Sequence, residues 1–226
     1  MPVFRLTEKL VFPDPELAED GLLAIGGDLR VDRLLLAYQS GIFPWYGEDD
    51  PLLWWSPPER ALLRPGHLHL SARTRRSLRQ YPFEIRFDTA FEAVIGHCSA
   101  VPRPGQDGTW ITAEMREAYV ALHRAGHAHS VEAWRDGELR GGLYGVSLGG
   151  AFFGESMFSL EPEASRGALQ ALDARLKAWG FRMIDGQLPH EGLMGYGFQV
   201  VPRALFLAEL AGALRQDGRA GNWSEG

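Results

Sequence analysis

The spacing of apolar residues changes period several times along this chain, and each change marks an element. VDRLLLAYQSG, from Val31, predicts a helix: Leu34, Leu35, Tyr38 and Ile42 give partial helical spacing, Asp32 sits near the N-cap and Gly41 is the stop. Ser71 to Gln80 predicts a short helix capped by Ser71. FEIRF then alternates, with Phe83, Ile85 and Phe87 on one face of a strand. TAFEAVIGHCS and TAEMREAYVALHRAG return to the helical period, and Gly126 stops the second. HSVEAWRDGELRGGLYGVSLGGAFFGESMFS predicts three strands, the first two joined by an Asp136-Gly137 hairpin turn. EASRGALQALDARLKAWG aligns Leu169, Leu172 and Leu176 on one helical face and ends at Gly180. FRMIDGQ predicts another strand, and PRALFLAELAGALRQ a last helix. The polar tail from Asp217 is expected to fray.

The first sixty residues differ. FPDPELAEDG is loop-like because Pro13 and Pro15 bar a regular helix. GLLAIGGDL is a short apolar run closed by Gly26 and Gly27. IFPWYGEDDPLLWWSPPERALLRPG is rich in proline and tryptophan, and Pro57-Pro58 is the best candidate for a boundary. The expected organisation is a mixed α/β (α+β) chain. It has a small N-terminal domain at 1–58 and a second domain at 59–226 with a mostly antiparallel central sheet. That element order is compatible with an acyltransferase fold of the GNAT type, and with other folds.

Composition narrows the function more by exclusion than by indication. The 226 residues carry 45% hydrophobic side chains, enough for a core, and no apolar run approaches the roughly 20 residues that span a bilayer. Cys98 is the single cysteine, so no intramolecular disulfide can form; it reads as a small buried hydrophobe, and a cytoplasmic setting is expected. A net charge of -6 argues against nonspecific coating of nucleic acid. Residues 64 to 80 nevertheless hold Arg64, Arg73, Arg75, Arg76 and Arg79 with no acidic residue among them. A phosphate backbone would need such a patch, and a solvated helix face would look the same.

Several familiar chemistries fail on spacing. GESMF lacks the second glycine of a serine-hydrolase elbow. His123, His127 and His129 are divided by Gly126, and His190-Glu191 does not extend to H-E-x-x-H, so no metal site is expected. GLLAIGGD lacks the lysine of a phosphate-binding loop. A coenzyme A pyrophosphate loop would want Gln or Arg at position 164, before Gly167, where this chain has alanine; an acyl donor other than coenzyme A is therefore suspected. MIDGQ is the sharpest local feature. On a strand, Asp185 and Gln187 would share a face with Met183 and grip one polar group, or they close a turn. Glu155, after Gly154, is a second candidate carboxylate, although alone it reads as solvated.

Together these segments resemble the leucyl/phenylalanyl-tRNA–protein transferase family. The likeness is carried by GLLAIGGDL, LLAYQSGIFPWY, LLWWSPPERALL, GTWIT, GHAHSVEAW, GGLYGV, FGESMFS, ASRGAL and IDGQ, in fixed order over nearly the whole chain. The resemblance implies a small N-terminal domain, a GNAT-like catalytic domain, and neither coenzyme A nor metal. It implies transfer of leucine, phenylalanine or sometimes methionine from aminoacyl-tRNA to proteins beginning with Arg or Lys, marking them for N-degron degradation, by a soluble enzyme expected to be monomeric. By position, Asp185 and Gln187 match the family's catalytic pair and Glu155 its active-site glutamate. Trp45, Trp110, Leu143, Phe152, Met157, Leu172 and Leu176 fall where the family builds its apolar side-chain pocket. Arg73, Arg75, Arg76 and Arg79 are the candidates for tRNA contact. Four features depart from the family pattern. Gly186 replaces a common cysteine, Leu143 stands where methionine can occur, Leu172 and Leu176 stand where aromatics can occur, and GLMGYGFQVVPR replaces a small-residue turn. An acetyl-coenzyme A-dependent acetyltransferase and a non-catalytic tRNA-binding module are the competing readings.

Overall fold

A computed structural model describes residues 3–100 and 110–224. Gly108 and Thr109 of the GTWIT motif lie outside the described residues. The chain begins with β1 (Phe4–Leu6), β2 (Leu22–Gly26), α1 (Val31–Gln39), β3 (Phe43–Pro44) and β4 (Leu53–Trp55). These strands form a small sheet in the order β1-β2-β4-β3, parallel only at β1–β2. α1 ends as the sequence predicts, with Gly41 in the left-handed region at φ 71°. Strands β3 and β4 lie in the proline- and tryptophan-rich stretch, to which the sequence assigned no element. They are two and three residues long, too short for a period to show, and Pro44 is tolerated because β3 is an edge strand.

The rest builds one larger sheet. Its members and helices follow as β5 (Glu59–Leu63), α2 (Ala72–Gln80), β6 (Glu84–Phe87), α3 (Phe91–Ala100), α4 (Ala113–Arg124), β7 (Ala128–Arg135), β8 (Glu138–Leu148), β9 (Ala151–Ser159), α5 (Ala164–Ala178), β10 (Met183–Asp185), α6 (Glu191–Gly195), β11 (Gln199–Pro202) and α7 (Arg203–Ala213). The order is β11-β5-β10-β9-β8-β7-β6, antiparallel except for the β9–β10 pair. The mixed α+β class is thus as expected. The β7–β8 turn has both Asp136 and Gly137 at positive φ, the geometry that makes Asp-Gly a hairpin signal. Strand β5 escaped the sequence reading because Arg60 to Leu63 are all buried, so nothing alternates. The chain passes from the small sheet to the large one across Pro57-Pro58. One buried cluster nevertheless joins the two, running from Leu23, Tyr38 and Trp54 to Val94, Tyr119, Phe153 and Phe206.

A second cluster occupies the other face of the large sheet, with Leu143, Phe152, Leu172, Leu176, Ile184 and Phe198. Trp223 belongs to it, at 3% exposure, which corrects the expectation of a fraying tail. The tail is polar in composition, but one indole is enough to anchor it, and its backbone finds partners on α5, the β6–α3 turn and the α4–β7 turn.

Candidate active site

The site forms where the parallel pair separates. β10 pairs with β9 from Met183 to Asp185 and then stops, while β9 continues to Ser159. The opening between them is a cavity of about 430 Å³. Leu143, Phe152, Met157, Leu169, Leu172 and Ile184 line its apolar side, with Leu193, Tyr196 and Phe198 from the α6–β11 segment opposite. Four of the seven predicted pocket residues, Leu143, Phe152, Met157 and Leu172, therefore meet in one cavity. Leu176 is fully buried in the same cluster but outside the lining. Trp45 and Trp110 are not in the lining either; both are partly buried against the other cluster.

Glu155 enters this cavity because β9 is bulged. Tyr144 pairs with Ser156 and Gly145 with Gly154, so Glu155 has no partner residue across the ladder. The bulge also reverses the strand's parity, which is why Phe153 and Phe158, five apart, pack in the same cluster. Period-2 reading from the sequence cannot survive such an insertion. Read in isolation, Glu155 looked solvated. The structure corrects this: the carboxyl accepts from Tyr38 Oη at 2.7 Å, Tyr119 Oη at 3.1 Å and Gln187 Nε2 at 2.8 Å. Burial pushes its pKa up to about 7, against the lowering effect of these three donors. Tyr38 and Tyr119, themselves in hydroxyl–hydroxyl contact, are driven well above the ordinary tyrosine range by burial and by Glu155, so they stay protonated donors. The sequence reading used Tyr38 only as a helical spacing mark and missed Tyr119. Their signal was available: a buried tyrosine needs a polar partner for its hydroxyl.

Of the two readings that MIDGQ allowed, a shared strand face or a closed turn, the structure shows the turn at Asp185. It is fully buried, and Arg60 grips both carboxylate oxygens, with Nε 3.3 Å from Oδ1 and Nη2 on Oδ2. The Arg60 guanidinium also donates to the Gly41 carbonyl at 2.7 Å and lies over the Phe206 ring at 4.1 Å. The strand ends at Asp185, and Gln187 is left-handed at φ 61°, so the two do not share a strand face. Instead Asp185 Oδ1 accepts the Gln187 backbone N–H at 2.8 Å, while β5 holds the same turn through Gly186 N to Ala61 O and Ala61 N to Gln187 O. This turn aims the Gln187 amide nitrogen at Glu155, while Gln187 itself lies outside the cavity lining. Gly186 is small for a reason in this chain: a Cβ there would lie 2.8 Å from Leu193 Cδ1 and 2.9 Å from the Phe198 ring. Arg73, Arg75, Arg76 and Arg79 are exposed on α2. Leu78 of that helix packs near Gly167 in α5, two residues from the cavity-lining Leu169. Among the described residues no group of three or more His, Cys, Asp or Glu could hold a metal ion, and no helix is long and apolar enough to cross a membrane.

The family model described as leucyl/phenylalanyl-tRNA protein transferase matches residues 62–211, and that of its N-terminal domain matches 27–58. A leucyl/phenylalanyl-tRNA–protein transferase from Myxococcus xanthus is 54% identical over 229 residues, covering 100% of this chain and 98% of the relative. One of the same name from Nitratidesulfovibrio vulgaris is 55% identical over 214 residues, covering 94% of this chain and 92% of the relative. Likeness among solved structures is slight, as with L-PGS from Bacillus licheniformis at TM-score 0.41 and 14% identity, covering 75% of this chain and 55% of that one. With these matches the chain belongs to the leucyl/phenylalanyl-tRNA–protein transferase family.

Proposed function

We propose that the protein moves leucine or phenylalanine from a charged tRNA to the α-amino group of proteins that begin with Arg or Lys, leaving them with an N-terminus that marks them for degradation. The observation that carries this reading is the apolar cavity with the Glu155 carboxyl in its lining. A transferred side chain needs the first, and a cationic N-terminus needs the second. In the reaction the amine nitrogen bonds to the ester carbonyl carbon, the ester C–O bond breaks, and the terminal ribose hydroxyl leaves. The ester is already activated, so a covalent enzyme intermediate is not required. An α-amino group has a pKa near 8, so roughly a tenth is neutral at pH 7. Positioning that fraction is the enzyme's main task.

Gln187 is suited to this and not to removing a proton, since an amide has almost no basicity. Its carbonyl oxygen accepts an N–H of the incoming amine and turns the lone pair toward the ester, with the proton passing to water or to the departing ribose oxygen. Asp185 lines the cavity, but its side chain is 0% exposed and both its carboxylate oxygens are held by Arg60, so it acts on the amine through the Gln187 backbone. Glu155 attracts the acceptor's positive charge and fixes the Gln187 amide. The apolar lining selects by fit. About 1–3 kcal/mol per methylene separates leucine from alanine well, and leucine from methionine less well.

A coenzyme A-dependent reading finds little support at α5, where a pyrophosphate would bind. The Ala164, Ser165 and Gly167 amides already donate to Glu161 O, Ser159 Oγ and Glu163 O. The reading is tested by supplying leucyl-tRNA with labelled leucine to two model proteins, one beginning with Arg and one with Glu. Label is expected on the Arg protein alone. Label on neither, with charged tRNA still bound, would reduce the protein to a binding module, and label on the Glu protein alone would invert the role of Glu155.

Helix α2 packs through Leu78 near Gly167, two residues from the cavity-lining Leu169, and its exposed arginines are our candidates for contact with the tRNA. Reversing both Arg75 and Arg76 to Glu is expected to weaken binding of charged tRNA and to flatten its salt dependence by about one logarithmic unit per lost phosphate contact. Filter binding between 50 and 200 mM salt, on the order of the usual range for such titrations, reads this directly. An unchanged slope would put the RNA on another face.

A further inference from the structure

We propose that Trp223, near the C-terminal end, sets how wide a side chain the cavity admits. The inference rests on the cavity being the site of the transferred side chain. Phe152 is fully buried and lines the cavity, and the Trp223 ring lies against it at a centroid distance of 6.0 Å. On another side Phe152 is held by backbone: a Cβ placed on Gly145 would come within 2.5 Å of the ring, so there is no slack there. The indole is therefore the part of the wall that decides whether Phe152 can retreat when a larger side chain enters.

The indole is itself fixed by a built seat. It stacks on the His129 ring at 3.7 Å with the planes 6° apart, and meets Trp179 and Phe181 edge-on at 5.0 and 6.3 Å. Its backbone N–H donates to Asp88 Oδ2 at 2.8 Å, and its carbonyl accepts from Arg175 Nη1 at 2.8 Å. The indole N–H closes a turn onto Arg219 O, and Gly221 N–H donates to Gly126 O at 3.0 Å. His129 and Asp88, which carry no other task in the site, are thus explained as the seat of this ring. Close packing transmits the seat's rigidity to Phe152, because a well-packed interior has no room to absorb a shift. Removing the indole leaves space behind Phe152 that the surroundings only partly fill.

The test compares kcat/KM for phenylalanyl-tRNA and leucyl-tRNA with one acceptor protein, in Trp223→Ala, Trp223→Phe and the cavity-lining variant Met157→Ala. Trp223→Ala is expected to raise the phenylalanine-to-leucine ratio by about five- to tenfold, the scale at which pocket shape discriminates, with Trp223→Phe in between. Met157→Ala is expected to move the ratio as well. A merely structural tail would lower both donors equally and leave the ratio unmoved. That result at Trp223, with Met157→Ala still active on the ratio, would overturn the role of the tail alone. A ratio moved at neither position would instead overturn the cavity as the side-chain site. Should Trp223→Ala not fold, Trp223→Phe carries the comparison.

Discussion

Replacing Arg60 with Met will cost the protein about 3–5 kcal/mol of stability, the usual penalty for stranding one member of a buried ion pair. Arg60 and Asp185 are 1% and 0% exposed, so no water takes the lost partner's place. Against a total of about 5–15 kcal/mol, that loss brings the chain near unfolding. Activity is expected to fall by about a hundredfold or more even where the protein remains folded, because a misplaced reacting group costs that much. The reason is local: Asp185 holds the Gln187 N–H, Gln187 holds Glu155, and a buried carboxylate stripped of its partner will not keep that geometry.

The double variant Arg60→Met, Asp185→Asn separates two roles for Asp185. Both changes remove charge, so stability measured by thermal or urea denaturation should recover by more than half. The amide that replaces the carboxylate still offers an oxygen to the Gln187 N–H. If Asp185 only positions Gln187, single-turnover transfer should return to within about tenfold of the parent, since the loss of a charged acceptor weakens that bond without abolishing it. A double variant that folds normally yet transfers no faster than Arg60→Met would overturn a purely positioning role for Asp185.

The same residues show where sequence reading succeeds and where it stops. Helices α2 and α4 were legible because their caps are local chemistry, with Ser71 Oγ accepting from Thr74 N and Thr112 Oγ1 from Met115 N; α1 and α5 lack a side-chain cap and were legible by their left-handed glycine stops, Gly41 and Gly180. Asp185, Gln187 and Glu155 could be nominated together through the family likeness, and the structure does bring them together. The turn that Asp185 and Gln187 close was one of two readings left open, and nothing in the spacing chose between them. The bulge at Glu155 reverses the strand's parity, and the left-handed turn at Gln187 ends the strand two residues early; each defeats a period-2 argument. Arg60, Tyr38 and Tyr119 were missed because their partners are 125, 117 and 36 residues away in the chain; a buried tyrosine announces that it needs a polar partner, but nothing local says which. Trp223 shows the opposite error. Its neighbours Gly221, Asn222 and Ser224 make the tail look polar, but the free energy of burying one indole outweighs them.

Glu155→Gln is expected to reduce transfer at pH 8 by about a hundredfold, the scale of a lost charged positioning group. The size of that loss should itself depend on pH. With its pKa raised to about 7, Glu155 is mostly ionised at pH 8 and about a tenth ionised at pH 6. The protonated acid resembles the amide that replaces it, so the gap between parent and variant should shrink to about tenfold at pH 6. On a logarithmic plot below pH 7, the parent should rise with two proton losses, one from Glu155 and one from the acceptor amine. The variant should keep only the amine's. Stability moves the other way. An acid whose folded pKa lies above its unfolded value binds its proton more tightly when folded. The stability it contributes is fully present below about pH 4.5 and is lost as pH rises through 7, so Glu155→Gln should gain on the parent in thermal denaturation between pH 5 and pH 8. Activity lost and relative stability gained over the same interval would mark Glu155 as a charge kept in a costly place for the reaction. A parent rate that falls through pH 7 would show that the protonated acid is the working form, and would turn Glu155 from an anchor for the amine into a proton donor to the leaving ribose.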